Sequence, residues 1–330
     1  MTLPAHAAAG NDLPAGPTRT RFPRTSRRSA ALAGGMHAVA KPALNLWSYA
    51  PPLARLSRIM DRTADRLTVP AGTSVESVQL GPCDAEWIRA PRATEEGAVL
   101  YLHGGALIVC SLASHRLLVA STSRVCRVPA LNVNFRMLPH VTVEEMVGDC
   151  LAGYRWLLAK GYPPEKISIV GDSAGGYLSF LVALALRDDG LPLPGSIAGM
   201  SPLLDLGTRR KAANPHRDKC DLFTMRACEA LEHLVERVDR RHEVQGRRVQ
   251  PIDADLTGLP PVLIQMGSRE ILRPDAEEMA DRLAAAGVPT HLQIWTGQVH
   301  VFQASAPLVP EAGRALRELG RFVRVNRAAG

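Results

Sequence analysis

The chain has 330 residues, of which 46% are hydrophobic and 22% charged, and it carries a formal charge of +7. This length and composition are those of one large globular domain with a well-buried core. Because the basic residues are spread along the chain rather than gathered on one stripe with aromatic residues, the charge does not predict nucleic-acid binding. Polar residues or glycine interrupt the apolar segments before they reach eighteen residues, so we expect no stable insertion into a membrane.

The N-terminal segment and the cysteines set expectations about disorder and location. Residues 1–35 are rich in Ala, Pro, Gly, Ser, Thr and Arg without apolar periodicity, which predicts a disordered extension. The segment after Arg27 and Arg28 is short and broken by glycine, unlike the apolar core of an export signal. The six cysteines lack Cys-x-x-Cys spacing, so we expect reduced thiols, no metal site and a cytoplasmic location.

Strand and helix patterns alternate along the rest of the chain. Residues 36–70 have a broken helical spacing of apolar residues, which predicts one or two helices that need an apolar surface to cover. Residues 71–330 form the main domain, an α/β fold with a mainly parallel sheet of about eight strands and helices on both faces. The predicted strands are 74–80, 85–90, 98–102, 130–135, 167–170, 196–201, 261–266 and 290–295, and the predicted helices are 143–158, 174–188, 225–239, 274–286 and 310–323.

The run Gly-Asp-Ser-Ala-Gly at residues 171–175 lies between a predicted strand and a predicted helix. A serine on such a sharp turn is the nucleophile elbow of an α/β-hydrolase. Glycines flank it because the turn strains the backbone and side chains there would collide with the neighbouring strand or helix. An ordinary helix cap would also favour serine, but it would not require the glycines. We predict Ser173 as the nucleophile.

A serine nucleophile needs a neutral imidazole within hydrogen-bond reach to take its proton. His300 lies in the loop between the last predicted strand and the last predicted helix, at the carboxyl edge of the sheet. Among the other histidines, His291 falls inside a strand pattern, His233 on a helix, and His140, His216 and His242 in polar stretches. We therefore predict His300 as the general base.

The acid that orients the imidazole has two candidates after the strand 261–266. Glu270 lies in the loop soon after the strand, whereas Asp275 follows Pro274 in the predicted first turn of a helix. Position after the strand favours Glu270 as the acid, and Asp275 remains the alternative candidate.

A second glycine-rich turn, His103-Gly104-Gly105, follows the strand 98–102. Glycines allow backbone N–H groups to approach a tetrahedral oxyanion, and Ala174, just after the nucleophile, supplies another donor. A tight turn without this role is the alternative. We expect the ring of His103 to fix the loop rather than act on substrate.

Together these motifs resemble the hormone-sensitive lipase family of α/β-hydrolases over about residues 98–322. The resemblance implies that the serine, an acid in the segment 270–275 and the late histidine form a triad, with Glu270 at the acid position. It implies an oxyanion hole in which Ala106 replaces the usual third glycine, and a cap of N-terminal helices, here 36–70, over the site. The residues that carry it are His103-Gly104-Gly105, Gly171 to Gly176, Ser201-Pro202 with Asp205, and His300-Val301-Phe302.

The sequence therefore predicts a serine carboxylesterase that acts on short- to medium-chain acyl esters through an acyl-enzyme, without metal or cofactor. An acetyl-ester or acetyl-amide hydrolase of a secondary metabolite is a variant of this hypothesis. A non-catalytic small-molecule-binding protein on the same fold is the competing class, and the presence of His300 disfavours it. The sequence does not fix the oligomeric state, although a homodimer is compatible with it.

Overall fold

A computed structural model describes residues 16–47, 69–215, 217–246 and 248–329. This part of the chain forms a nine-stranded sheet flanked by helices. The strands are β1 (Thr18–Phe22), β2 (Ser74–Gln79), β3 (Asp84–Arg89), β4 (Ala98–Leu102), β5 (Ala130–Val133), β6 (Ile167–Asp172), β7 (Ser196–Met200), β8 (Val262–Gly267) and β9 (Thr290–Trp295). The helices are α1 (Arg27–Gly35), α2 (Lys41–Trp47), α3 (Leu112–Cys126), α4 (Val143–Ala159), α5 (Ala174–Asp188), α6 (Arg209–Ala212), α7 (Met225–Arg241), α8 (Arg273–Ala285) and α9 (Pro310–Ala329).

The sheet has the order β1-β9-β8-β7-β6-β4-β5-β3-β2. All neighbours pair in parallel except β3, which runs antiparallel to both β5 and β2. The predicted α/β-hydrolase layout is confirmed, and the eight predicted strands agree with the observed ones to within two residues at each end. Because β4, β6, β8 and β9 are parallel, the loops that follow them meet at one edge of the sheet.

Both faces of the sheet are covered. On β4, Leu100 and Leu102 pack into the larger core with α4, α5 and α8, whereas Val99 and Tyr101 pack into a second core with α3 and α9. This alternation follows from the two-residue period of a strand. Burial on both faces explains why the central strands are continuous apolar runs in the sequence.

The predicted disordered extension is wrong for residues 16–35, and residues 1–15 lie outside the described part of the chain. β1 pairs in parallel with β9, and α1 follows it with Ser26 as its cap. Phe22, the one buried residue of β1, stacks on Trp295 with ring centroids 3.7 Å apart. An edge strand held mainly by backbone hydrogen bonds needs no apolar alternation, which is why its pattern gave no signal.

Two further regions differ in part from the predicted elements. The predicted helical segment 36–70 is helical from Met36 to Trp47, through a π-helical turn at Met36–Ala40, and residues 48–68 of it lie outside the described residues. The sequence pattern missed α3, which begins where the Ser114 hydroxyl accepts a hydrogen bond from the Ser111 amide. Among the helices of the described residues, none combines the length and apolar character that crossing a bilayer requires.

Candidate active site

The elbow lies between β6 and α5. Ser173 has φ +50° and ψ −119°, a conformation that is uncommon for a residue with a side chain. A Cβ on Gly175 would lie 1.8 Å from the carbonyl oxygen of Leu102, and one on Gly171 would lie 2.4 Å from the carbonyl oxygen of Gly175. Glycine at 175 therefore lets the elbow pass close to the end of β4, and glycine at 171 lets β6 pass close to the first turns of α5.

Three of the predicted site residues form a hydrogen-bonded chain. The Nε2 atom of His300 lies 2.8 Å from the Oγ atom of Ser173, and its Nδ1 atom lies 2.7 Å from Oε2 of Glu270. All three side chains are buried. With a carboxylate at Nδ1, the imidazole carries its proton there, so Nε2 is free to accept the proton of the serine hydroxyl.

Asp275, the alternative acid, lies elsewhere. Its carboxylate is buried in the first turn of α8 and forms an ion pair with Lys211, with Oδ2 and Nζ 2.7 Å apart. Burial raises the pKa of Asp275 above its usual value, although the Lys211 ammonium opposes this shift. The structure thus brings Glu270, and not Asp275, onto His300.

The loop after β4 brings backbone amides beside the serine. A Cβ on Gly104 would lie 3.1 Å from the Cβ of Ser173, and Gly105 and Ala106 have positive φ angles of 121° and 53°. Within the described part of the chain, the amides of Gly104, Gly105, Ala106 and Ala174 donate to no protein acceptor. Amides of this kind, close to a nucleophile and not otherwise engaged, can stabilise a developing oxyanion.

A buried polar cluster supports this loop from behind. The Nδ1 atom of His103 donates to the carbonyl oxygen of Gly104 over 2.7 Å, and its ring stacks on Phe135. Asp172 accepts hydrogen bonds from the Tyr101 hydroxyl at 2.8 Å and from the His115 ring at 3.3 Å. Burial alone would raise the pKa of Asp172, but these partners outweigh it and the pKa lies below its usual value.

Sequence reasoning identified His103 but missed Tyr101 and His115. The position of Tyr101 on the buried strand β4 did not indicate a role near the site, because an aromatic residue on such a strand is usually interpreted as part of the hydrophobic core. His115 lies on α3, the helix that the pattern missed.

The ionisation of His103 predicts a loss of stability in acid. Burial first, and the neighbouring His115 second, lower the pKa of His103 to about 4. The unfolded chain binds this proton near pH 6.5 and the folded chain does not, so stability is complete above pH 6.5 and falls as the pH drops toward 4. The shift corresponds to a loss of roughly 3 kcal/mol across this window.

Urea unfolding at pH 7.5, 5.5 and 4.5 measures this loss. His291 is partly buried, which also lowers its pKa, and it acts in the same direction, so a His103→Gln variant is needed as the comparison. The variant is expected to lose less stability than the wild type between pH 7.5 and 4.5. Parallel curves for the two proteins would contradict the assignment to His103.

An apolar cavity of about 40 Å³ opens at Ser173. The ring of Phe223 in its wall meets the ring of His300 edge-on, with centroids 4.8 Å apart. The helix α2 contributes Leu44 to the lining, so the N-terminal helices reach the site. The remaining lining residues are Ala106, Leu203, Leu206, Lys211, Ala227, Cys228, Leu231 and Leu272.

Lys211 does not offer a free charge to this cavity. Its ammonium donates to the carbonyl oxygens of Asp205 and Gly207 and to Asp275, at distances of 2.7, 3.0 and 2.7 Å. Three acceptors use its three protons. Among the described residues, no group of three or more His, Cys, Asp or Glu side chains is arranged to hold a metal ion.

A strained serine after a central strand, joined through histidine to an acid and faced by amide donors, defines a serine hydrolase of the α/β type. The sequence model of the family described as "alpha/beta hydrolase fold" matches residues 99–304. The chain belongs to this family, among the esterases of the bacterial hormone-sensitive lipase type.

Relatives and solved structures agree with this assignment. The chain is 39% identical to Esterase LipU of Mycobacterium tuberculosis over 292 residues, which cover 86% of this chain and 98% of the relative. The crystal structure of EstE5 soaked with p-nitrophenyl butyrate is similar with a TM-score of 0.81 and 31% identity, covering 92% of this chain and all of that one. An esterase from the bacterial hormone-sensitive lipase family has a TM-score of 0.80 and 29% identity, with the same coverage.

Proposed function

We propose that the chain hydrolyses short acyl esters through an acyl-enzyme on Ser173. The observation that carries this proposal is the hydrogen-bonded chain from Ser173 through His300 to Glu270 at the mouth of an apolar cavity. A non-catalytic binding role on the same fold would not require the hydrogen bonds that join Ser173, His300 and Glu270. The imidazole sits where it can take a proton from Ser173, which favours the enzyme.

In this mechanism His300 takes the proton of Ser173 as the hydroxyl oxygen attacks the ester carbonyl carbon. Glu270 stabilises the imidazolium that forms, and the amides of the loop 104–106 and of Ala174 donate to the oxyanion, where each donor contributes about 3 kcal/mol. The imidazolium then protonates the leaving alcohol, and the acyl group stays on Ser173. His300 then deprotonates a water molecule, which attacks the carbonyl carbon of the acyl-enzyme. The carboxylic acid leaves, and Ser173 takes back its proton from His300.

The cavity favours a short acyl chain. A single water needs about 10–15 Å³ in the same measure, so a cavity of about 40 Å³ holds roughly three groups of that size. Its walls are mainly leucine side chains together with Phe223, which favour an alkyl chain over a polar one. An acetyl to butyryl group fits this space, whereas an octanoyl chain requires the walls to move.

Initial rates with p-nitrophenyl acetate, butyrate, octanoate and palmitate test the proposal. We expect kcat/KM to fall roughly tenfold to hundredfold from butyrate to octanoate, as overpacking of a filled site costs about 1–3 kcal/mol. A Leu231→Ala variant enlarges the cavity and is expected to narrow this difference. Ser173→Ala is the control for background hydrolysis.

Two outcomes would contradict the proposal. Equal rates in the wild type and Ser173→Ala would remove the serine mechanism. A Ser173-dependent activity that is highest on palmitate would leave the mechanism in place and refute the short acyl pocket.

We further propose that the enzyme acts in the cytoplasm. Support comes from five cysteines among the described residues that carry free thiols, namely Cys83, Cys126, Cys150, Cys220 and Cys228. Burial raises the pKa of Cys126 and of Cys228 to about 12, so these thiols stay protonated and unreactive at neutral pH.

A further inference from the structure

Ser201 lies directly behind the acid and the base of the site. It follows β7 with φ +50°, and its side chain is fully buried. Its hydroxyl donates to Oε1 of Glu270 over 2.7 Å and accepts a hydrogen bond from the amide of Val301 over 3.0 Å. One hydroxyl therefore touches both the carboxylate of Glu270 and the residue that follows His300.

The two oxygens of Glu270 have separate partners. Oε2 accepts from His300, whereas Oε1 accepts from the Gly267 amide at 2.5 Å and from Ser201. Two donors on Oε1 fix the rotation of the carboxylate, which decides where Oε2 points. The Ser201 amide is itself held by the carbonyl oxygen of Gln265 at 2.7 Å, so the hydroxyl is anchored to β8.

The histidine loop depends on the same hydroxyl. Val301 has φ +48°, a strained value for a β-branched residue. Its amide has Ser201 as acceptor, and without that acceptor a partly buried N–H group would be unpaired. Ser201 thus opposes relaxation of the backbone next to His300.

We propose that Ser201 is a positioning residue that holds Glu270 and His300 in register with each other. The proposal rests on the proposed function, because it assigns a role within the same hydrogen-bonded chain. Ser201 does not touch the reacting atoms. It acts on the rate through the orientation of the Glu270 carboxylate and the backbone at Val301.

Ser201→Ala removes the hydroxyl, and Ser201→Gly removes it while relieving the strain at positive φ. Both variants are expected to lower kcat on p-nitrophenyl butyrate roughly 10- to 100-fold with little change in KM, since small misplacements of catalytic groups have effects of this size. Ser168→Ala is the matched control. It removes another buried hydroxyl, bonded to Ser196 at 2.8 Å in the sheet, and is expected to leave kcat unchanged.

The pH profile separates positioning from a merely structural role. A carboxylate that has lost a donor keeps more negative charge and favours the protonated imidazole beside it. The acid limb of kcat/KM is therefore expected to move to higher pH in both Ser201 variants and not in Ser168→Ala. Thermal unfolding of all three variants shows how much of any change comes from stability.

A double-mutant cycle with Glu270→Gln tests the route of the effect. Because Ser201 contacts both Glu270 and the Val301 amide, Ser201→Ala is expected to change kcat less in the Glu270→Gln background than in the wild type, and the effect that remains is the route through Val301. Unchanged kcat and pH profile in both Ser201 variants, or a fully additive cycle, would overturn the proposal. Ser173-independent hydrolysis by the wild type would instead refute the proposed function.

Discussion

Replacing Glu270 with glutamine is expected to lower kcat about 10⁴-fold, the size of the loss when the acid of a serine triad becomes an amide. The two donors at Oε1, Gly267 and Ser201, require an acceptor, so the amide oxygen takes that position. The NH₂ group then faces Nδ1 of His300. The imidazole must accept there and carry its proton on Nε2, where it can no longer take one from Ser173.

Asp275→Asn is the matched comparison, because it makes the same chemical change in the other candidate acid. The asparagine keeps an acceptor for Lys211, which also retains the carbonyl oxygens of Asp205 and Gly207. We expect lower stability and a kcat within about threefold of wild type, as the change lies outside the hydrogen-bonded chain. Initial rates per folded enzyme, with urea unfolding of both variants, measure the difference. Loss of activity in Asp275→Asn alone would transfer the role of the acid to Asp275.

The choice between these two carboxylates shows where sequence reasoning reached its limit. Both follow β8 within a few residues. What separates them is the turn in which the Gly267 amide donates to Glu270, and the start of α8, which carries Asp275 away toward Lys211. The partner lies on α6, a helix of four residues, too short to give a periodic signal.

The central sheet was predictable for a different reason. A strand buried on both faces must be apolar throughout, as at Ala98–Leu102, and such runs are visible without knowledge of the neighbours. The nucleophile elbow was equally predictable from the sequence, because close backbone contacts require glycine at positions 171 and 175. By contrast, β1 is defined by pairing with β9, and Ser201 acts through contacts with two distant loops. The pair Ser201-Pro202 is part of the motif set that carries the family resemblance, but neither the strand pairing nor the contacts of Ser201 are visible in a local pattern.

The second large effect is expected at Lys211, whose substitution by methionine should destabilise the fold by about 3–5 kcal/mol, as for other buried pairs that lose one partner. Lys211 and Asp275 are almost fully buried, at 1% and 0% side-chain exposure. The variant leaves the Asp275 carboxylate without its counter-charge, and Oδ1 of that carboxylate already lacks a hydrogen bond among the described residues. Urea unfolding at pH 7.5 measures the loss.

The double variant Lys211→Met with Asp275→Leu separates the cost of an unpaired charge from the value of the pair. The pKa of Asp275 stays raised even beside Lys211, so ionisation of this carboxylate opposes folding. A raised pKa in an acid adds stability below its unfolded value near 3.9 and removes it as the pH rises. Two apolar residues are therefore expected to recover most or all of the stability lost in Lys211→Met. A double variant as unstable as Lys211→Met would show instead that the pair itself stabilises the first turn of α8.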